Sequence, residues 1–170
     1  MMNKKPQQRK SPRLPEYDYS TPAYYFVTIC VKDHEEMLGS IHDGKMHQNK
    51  FGEIVDKVWK GLPNYYTNVE LDYHCTMPNH FHGIIILNSV GEGSPLPYVP
   101  TLDKIIGYFK FNSAKQINQL RHNPGTKIWQ RSFYDRVIRN EKELYNIRKY
   151  IEQNPMKWEY ERNCPENIDI

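Results

Sequence analysis

The stretch MPNHFHGIII, residues 77–86, sets His80 and His82 on either side of Phe81 and leads into an apolar run that ends at Leu87. Side chains alternate faces along a β-strand, so His80 and His82 share one face with Ile84 and Ile86, while Phe81 shares the other with Ile85 and Leu87. Both faces are therefore covered, which makes this a central strand. Two imidazoles at this spacing form a metal-chelating pair. The plainer alternative is one structural histidine and one bonded to a neighbour, because buried imidazoles without partners are costly.

Working outward, YYFVTICV (24–31) is β-branched and aromatic and reads as a first strand. Residues 37–49 hold a turn signal, Asp43-Gly44, between short extended pieces, hence a hairpin. Asn49 or a neighbour can cap a helix through about Leu62, with Phe51, Ile54, Val55, Val58 and Trp59 on one face and Gly61-Leu62-Pro63 as its stop. VELDYHCTM (69–77) is another strand, turned by Pro78-Asn79 into the histidine strand. After a Gly/Pro-rich loop (91–100), Thr101 is an N-cap for a helix from Leu102 to about Leu120, and residues 122–125 form a turn. WQRSFYDRVI (129–138) reads as a strand, followed by a helix from about Glu141 to Asn154 that Pro155 ends. This order predicts an α+β fold: a ferredoxin-like antiparallel sheet with helices on one face, a β-hairpin insert and a C-terminal helix. One domain is expected over 21–160, between a basic irregular arm (1–20) and a tail (161–170).

Charge is unevenly distributed. Residues 1–15 carry five bases (Lys4, Lys5, Arg9, Lys10, Arg13) and no acid, residues 16–103 net −7, residues 104–149 net +8, and the remainder −3. Such polarisation suits a basic surface presented to a polyanion, although a solvated helix face plus a disordered tail would read the same way. Three widely spaced cysteines, Cys30, Cys75 and Cys164, indicate reduced thiols rather than a disulfide framework or zinc ribbon. With no apolar run of bilayer length and no signal peptide, a cytoplasmic protein is expected.

On the last helix, Leu144, Ile147 and Ile151 form an apolar stripe, with Arg148, Lys149 and Glu152 facing away. Tyr150 and Asn154, four residues apart, border that stripe on one side. Tyr150 can meet a metal held on the sheet, and Asn154 can offer a carbonyl oxygen as third ligand. Equally, Tyr150 can be an amphipathic aromatic at the core rim and Asn154 a helix C-cap. Tyr145 lies about 140° from Tyr150 around the helix, so the two cannot serve one metal.

The segments MPNHFHGII (77–85), KIWQRSFYDRVIRNEKEL (127–144), KYIEQNPMKW (149–158) and RLPEYDYSTPAYYFVTIC (13–30) resemble the REP-associated tyrosine transposases, single-tyrosine HUH nucleases. The resemblance implies His80 and His82 as metal ligands, Tyr150 as catalytic nucleophile and Asn154 as the polar position four residues on. Many relatives in the wider class have Gln there. It further implies hairpin-forming, REP-like single-stranded DNA as partner, cut to give a 5′-phosphotyrosine and a free 3′-hydroxyl. Phosphate chemistry at imidazole ligands suits Mg²⁺ or Mn²⁺.

DNA contacts are expected from the arm bases and from Lys104, Lys110, Arg131, Arg136 and Arg139, with Tyr17 and Tyr19 among the aromatics that can stack on unpaired bases. A histidine-triad hydrolase would need a third histidine where Ile84 stands. The alternatives are a rolling-circle or relaxase-like nickase and a non-enzymatic nucleic-acid-binding module. A monomer is expected, with a homodimer as the other arrangement.

Overall fold

A computed structural model describes residues 16–89 and 100–163. The bases Lys4, Lys5, Arg9, Lys10 and Arg13 lie outside the described residues, as do most of the Gly/Pro-rich loop and Cys164.

The chain runs β1 (Ala23–Cys30), hairpin β2 (Gly39–His42) and β3 (Lys45–Gln48), α1 (Lys50–Lys60), α2 (Leu62–Tyr65), β4 (Val69–Thr76), β5 (His80–Leu87), α3 (Leu102–Leu120), β6 (Tyr134–Ile138) and α4 (Glu141–Asn163). The main sheet is antiparallel in the order β4-β5-β1-β6, so the histidine strand is internal, and this is the expected α+β arrangement. The odd positions of β5, Phe81, Ile85 and Leu87, join the larger core with residues of α1 and α3. On the opposite face Phe26, Ile84 and Ile138 pack against Leu144 and Ile151 of α4. Among the described residues no helix is long and apolar enough to cross a membrane.

Local chemistry sets the boundaries. Asn49 caps α1 as expected, its Oδ1 accepting from the amides of Phe51 (2.9 Å) and Gly52 (3.1 Å). Gly61 ends α1, but Leu62-Pro63 opens the short α2 instead of stopping the helix, since proline in a first turn forfeits no helical bond. Thr101 precedes α3 without a side-chain capping bond.

Two expectations are corrected. The strand expected over 129–138 shrinks to Tyr134–Ile138, with Trp129 joined to Val31 only by an isolated bridge. Trp129 Nε1 donates to Ser113 Oγ (2.9 Å), and Lys110 Nζ donates to the carbonyls of Gln130 (2.5 Å) and Arg131 (3.0 Å), so α3 side chains hold this segment. Helix α4 does not end at Pro155; it continues to Asn163. An internal proline loses one helical bond and crowds the preceding turn. Contacts further along offset this: the Glu159 carboxylate accepts from the backbone amides of Asp43 (3.1 Å) and Gly44 (2.5 Å) at the hairpin turn, and Trp158 packs on His80 with ring centres 5.7 Å apart.

Gly83 of β5 is set by a close approach. A Cβ there would stand 2.5 Å from Trp59 Cζ2 and 2.9 Å from Phe81 Cε1, and Trp59 is fully buried. Gly83→Ala should therefore destabilise the fold by about 1–3 kcal/mol through overpacking. Urea denaturation checks this, and an unchanged midpoint would show that the Trp59 ring has room to retreat.

Candidate active site

Strand alternation puts both histidines on the α4 side of the sheet, where their Nε2 atoms converge to 2.9 Å. Their Nδ1 atoms point outward to separate partners. His80 Nδ1 meets Asn79 Oδ1 (2.6 Å) and His82 Nδ1 meets Thr28 Oγ1 (2.9 Å), the latter in cross-strand register. A carbonyl oxygen only accepts, so His80 carries its proton on Nδ1 and leaves Nε2 as a lone pair. His82 takes the same form when it donates to Thr28. Burial pushes His80 down to about 4, helped by His34, and His82 down to about 3, helped by His80. Both rings are thus neutral near pH 7.

Asn154 reaches this pair from α4. It is buried, and its amide Nδ2 lies 3.2 Å from His82 Nε2. A half-turn of the amide exchanges nitrogen for oxygen in the same volume and leaves three electron-pair donors around one point. Its position inside a continuing helix removes the C-cap alternative. The donor set fits a divalent cation: one held at ~2.1 Å by two adjacent ligands keeps them ~3 Å apart, and bonded Nδ1 atoms are the usual orienting partners of ligating histidines. Among the described residues no group of three or more His, Cys, Asp or Glu could hold a metal ion, which leaves the Asn154 amide as the candidate third donor beside the histidine pair.

Tyr150, one helical turn before Asn154, is 41% exposed, with its ring edge-on to His82 (5.3 Å between centres) and to Phe26 (6.0 Å). Phe26 in turn stacks on His82 (5.5 Å). Tyr150, His80, His82 and Asn154 line one cleft of about 380 Å³, with Lys157 and Trp158 from beyond Pro155. The Lys157 ammonium stands 5.8 Å from the Tyr150 ring centre. Tyr145 is exposed and absent from that cleft. Arg148, expected to face away, instead grips Asp72 of β4 through Nε (2.9 Å) and a terminal nitrogen (2.5 Å), holding the Asp72 carboxyl below its usual range.

The expected DNA contacts separate into groups. Arg136 and Arg139 line a second cleft that also includes Tyr150. Arg131 is exposed just before β6. Lys104 and Lys110 belong to α3, across the sheet from the histidines, and the Lys110 ammonium is committed to two backbone carbonyls. Tyr19 is no stacking platform: it is buried in the core beside Tyr25, and its carbonyl accepts from the Leu102 amide. Tyr17 packs edge-on to Tyr19 at 5.0 Å and is likewise drawn into that cluster. Thr28, Asn79, Lys157 and Trp158 were not legible as site residues. Asn79 adjoins the motif, whereas the others depend on strand register or on the helix passing Pro155.

No family model matches the chain. An uncharacterized protein of Haemophilus influenzae is 34% identical over 168 residues, covering 91% of this chain and 92% of its own length. A second Haemophilus influenzae protein, described as a putative REP-associated tyrosine transposase, is 26% identical over 149 residues, covering 84% and 76%. A solved REP-associated tyrosine transposase, bound to a REP hairpin, superposes with a TM-score of 0.59 at 17% identity, covering 85% of this chain and 73% of its own. The fold is thus that of a transposase, an antiparallel α+β sheet with a long C-terminal helix. The chain thus shares a family with its nearly full-length Haemophilus relative, and it is similar in sequence and in fold to REP-associated tyrosine transposases.

The buried histidines carry a pH signature. Unfolded imidazoles take up protons near 6.5, whereas the folded rings do so only near 4 and 3. Unfolding therefore binds protons in between, and stability should be full above about pH 6.5 and fall as pH drops toward about 3. Replacing both residues with Gln should flatten this slope, as read by urea denaturation at several pH values. An unchanged slope would assign the acid sensitivity elsewhere.

Proposed function

We propose that the protein is a metal-dependent endonuclease and strand transferase for single-stranded DNA at hairpin, REP-like sequences, acting through a covalent 5′-phosphotyrosine at Tyr150. The observation that carries this reading is the convergence of His80 Nε2, His82 Nε2 and the Asn154 amide on one point beside the Tyr150 ring. A Mg²⁺ or Mn²⁺ ion held there would neutralise and align the scissile phosphate. The hairpin substrate is carried over from the solved relative, which is bound to a REP hairpin.

The chain's own residues account for the remaining requirements. The Tyr150 Oη attacks phosphorus; the Oη–P bond forms as the P–O3′ bond breaks, the phenolic proton passes to water, and the 3′ oxygen leaves as a hydroxyl after taking a proton from water. The ester keeps a phenolate-type leaving group, so a 3′-hydroxyl can reverse the step and rejoin the strand. Phe26 and His82 fix the tyrosine ring edge-on, which limits its sweep and aims it at the cleft. Thr28 and Asn79 hold the imidazoles with Nε2 exposed to the same point. Among the described residues Tyr150 is the one tyrosine lining the histidine cleft, which favours one cut per active site, unlike initiators with paired nucleophiles.

Wild-type protein should yield a Mn²⁺- or Mg²⁺-dependent adduct with labelled hairpin DNA that survives denaturing electrophoresis. Tyr150→Phe should yield none while binding DNA nearly as well, and label retained by that variant would overturn the assignment. Calorimetry should show Mn²⁺ binding lost in a His80→Gln, His82→Gln double variant and weakened less by Asn154→Ala. Unaltered affinity in the double variant would remove the histidines from the metal site.

A further inference from the structure

Tyr150 is the shared wall of two clefts. One holds the histidines; the other, about 510 Å³, is lined by Arg136, Arg139, Lys142, Glu143 and Asn146. Arg136 and Glu143 offset each other through a two-point ion pair, with Nε at 2.6 Å and a terminal nitrogen at 2.5 Å from the same carboxylate oxygen. The second cleft therefore carries the charges of Arg139 and Lys142, both exposed, beside the Asn146 amide and the apolar wall of Ile147 and Tyr150. Cations on one side with an apolar wall on the other match a nucleotide, whose phosphate is anionic and whose base has a stacking face.

We propose that this second cleft is the subsite for the DNA strand 3′ of the cut, with its phosphates held by Arg139 and Lys142; the proposal rests on Tyr150 being the nucleophile. In an in-line displacement the attacking and leaving oxygens stand on opposite sides of phosphorus. With the phosphate over the histidine cleft, the 3′ oxygen and its nucleoside depart away from Tyr150. The 5′ oxygen is equatorial, so the strand that stays joined to Tyr150 is the one able to turn past the ring into the Arg139 cleft. The subsite thereby grips the covalently retained segment and leaves the departing 3′-hydroxyl end over the metal-binding side.

Oligonucleotides carrying one neutral methylphosphonate test this. On Tyr150→Phe protein in chelator, neutralising the first or second phosphate 3′ of the cut should weaken binding roughly fivefold to tenfold. In an added Arg139→Gln, Lys142→Gln background the same replacement should cost nothing further. The slope of log affinity against log salt should fall by about 0.7 for each phosphate contact removed. Methylphosphonates 5′ of the cut should cost the same in both backgrounds. Thermal melting of the variants confirms that the fold is retained. Additive penalties 3′ of the cut, or coupling on the 5′ side, would overturn the subsite while wild-type adduct formation left the nucleophile in place. Failure of wild-type protein to form any adduct with all-phosphate DNA would remove both.

Discussion

The seat of α4 on the sheet is the contact on which the site depends. Phe26, Ile84 and Ile138 offer a small apolar platform, and Leu144 and Ile151 close it. Ile84 lies two residues beyond His82, and Ile151 directly follows Tyr150, so one patch of buried surface sets the distance between the histidine pair and the tyrosine. The patch is small compared with the core on the other face, and polar ties supplement it at intervals along the helix. Glu143 meets Arg136 and the Arg139 amide, Arg148 meets Asp72, and Glu159 meets the hairpin turn. Because apolar contact is non-directional, these ties are what fix the rotation of the helix about its own axis.

Sheet and helix contribute different kinds of order. The two imidazoles come from adjacent same-face positions of one internal strand flanked by two others, so their separation varies little. The amide and the phenol come from one helix face, one turn apart. Neither layer holds the whole donor set. A fully apolar interior would make converging lone pairs expensive, whereas this cleft is also lined by the polar side chains of Thr28, Asn79, Asn154 and Lys157. The Cys30 and Cys75 thiols, both pushed up by burial, stand in register with His80 and His82, so these cross-strand neighbours of the two histidines are neutral near pH 7.

Most of this architecture was legible in the chain because it follows from short-range rules. Period-two alternation identified the histidine strand, Asp43-Gly44 the hairpin, Asn49 a helix start, and the spacing of Leu144, Ile147 and Ile151 the buried side of α4. What was not legible depended on distant partners. Nothing near Pro155 reveals that a hairpin more than a hundred residues earlier in the chain supplies two amides to Glu159 and so rewards the helix for continuing. The segment from Trp129 to Phe133 has strand-like composition, but Ser113 and Lys110 of α3 take its polar groups first. Tyr17 and Tyr19 sit in a segment that reads as an arm, and only the tertiary pocket around Tyr25 shows them as anchors. Thr28 needed the register of β1 against β5, which no local pattern encodes.

The irregularity in β4 has a consequence of another kind. Register slips between Leu71 and His74, and the intervening Asp72 and Tyr73 fall out of the ladder with β5. This frees the Asp72 carboxylate to turn toward Arg148, and the guanidinium also lies over the Tyr73 ring. The same interruption falls on an outer strand of the main sheet, where a straight run of unpaired amides and carbonyls would be a template for another chain. A kinked strand with an ion pair at its middle is a poor template. The residue that anchors the tyrosine helix thus also guards this margin of the sheet against self-association.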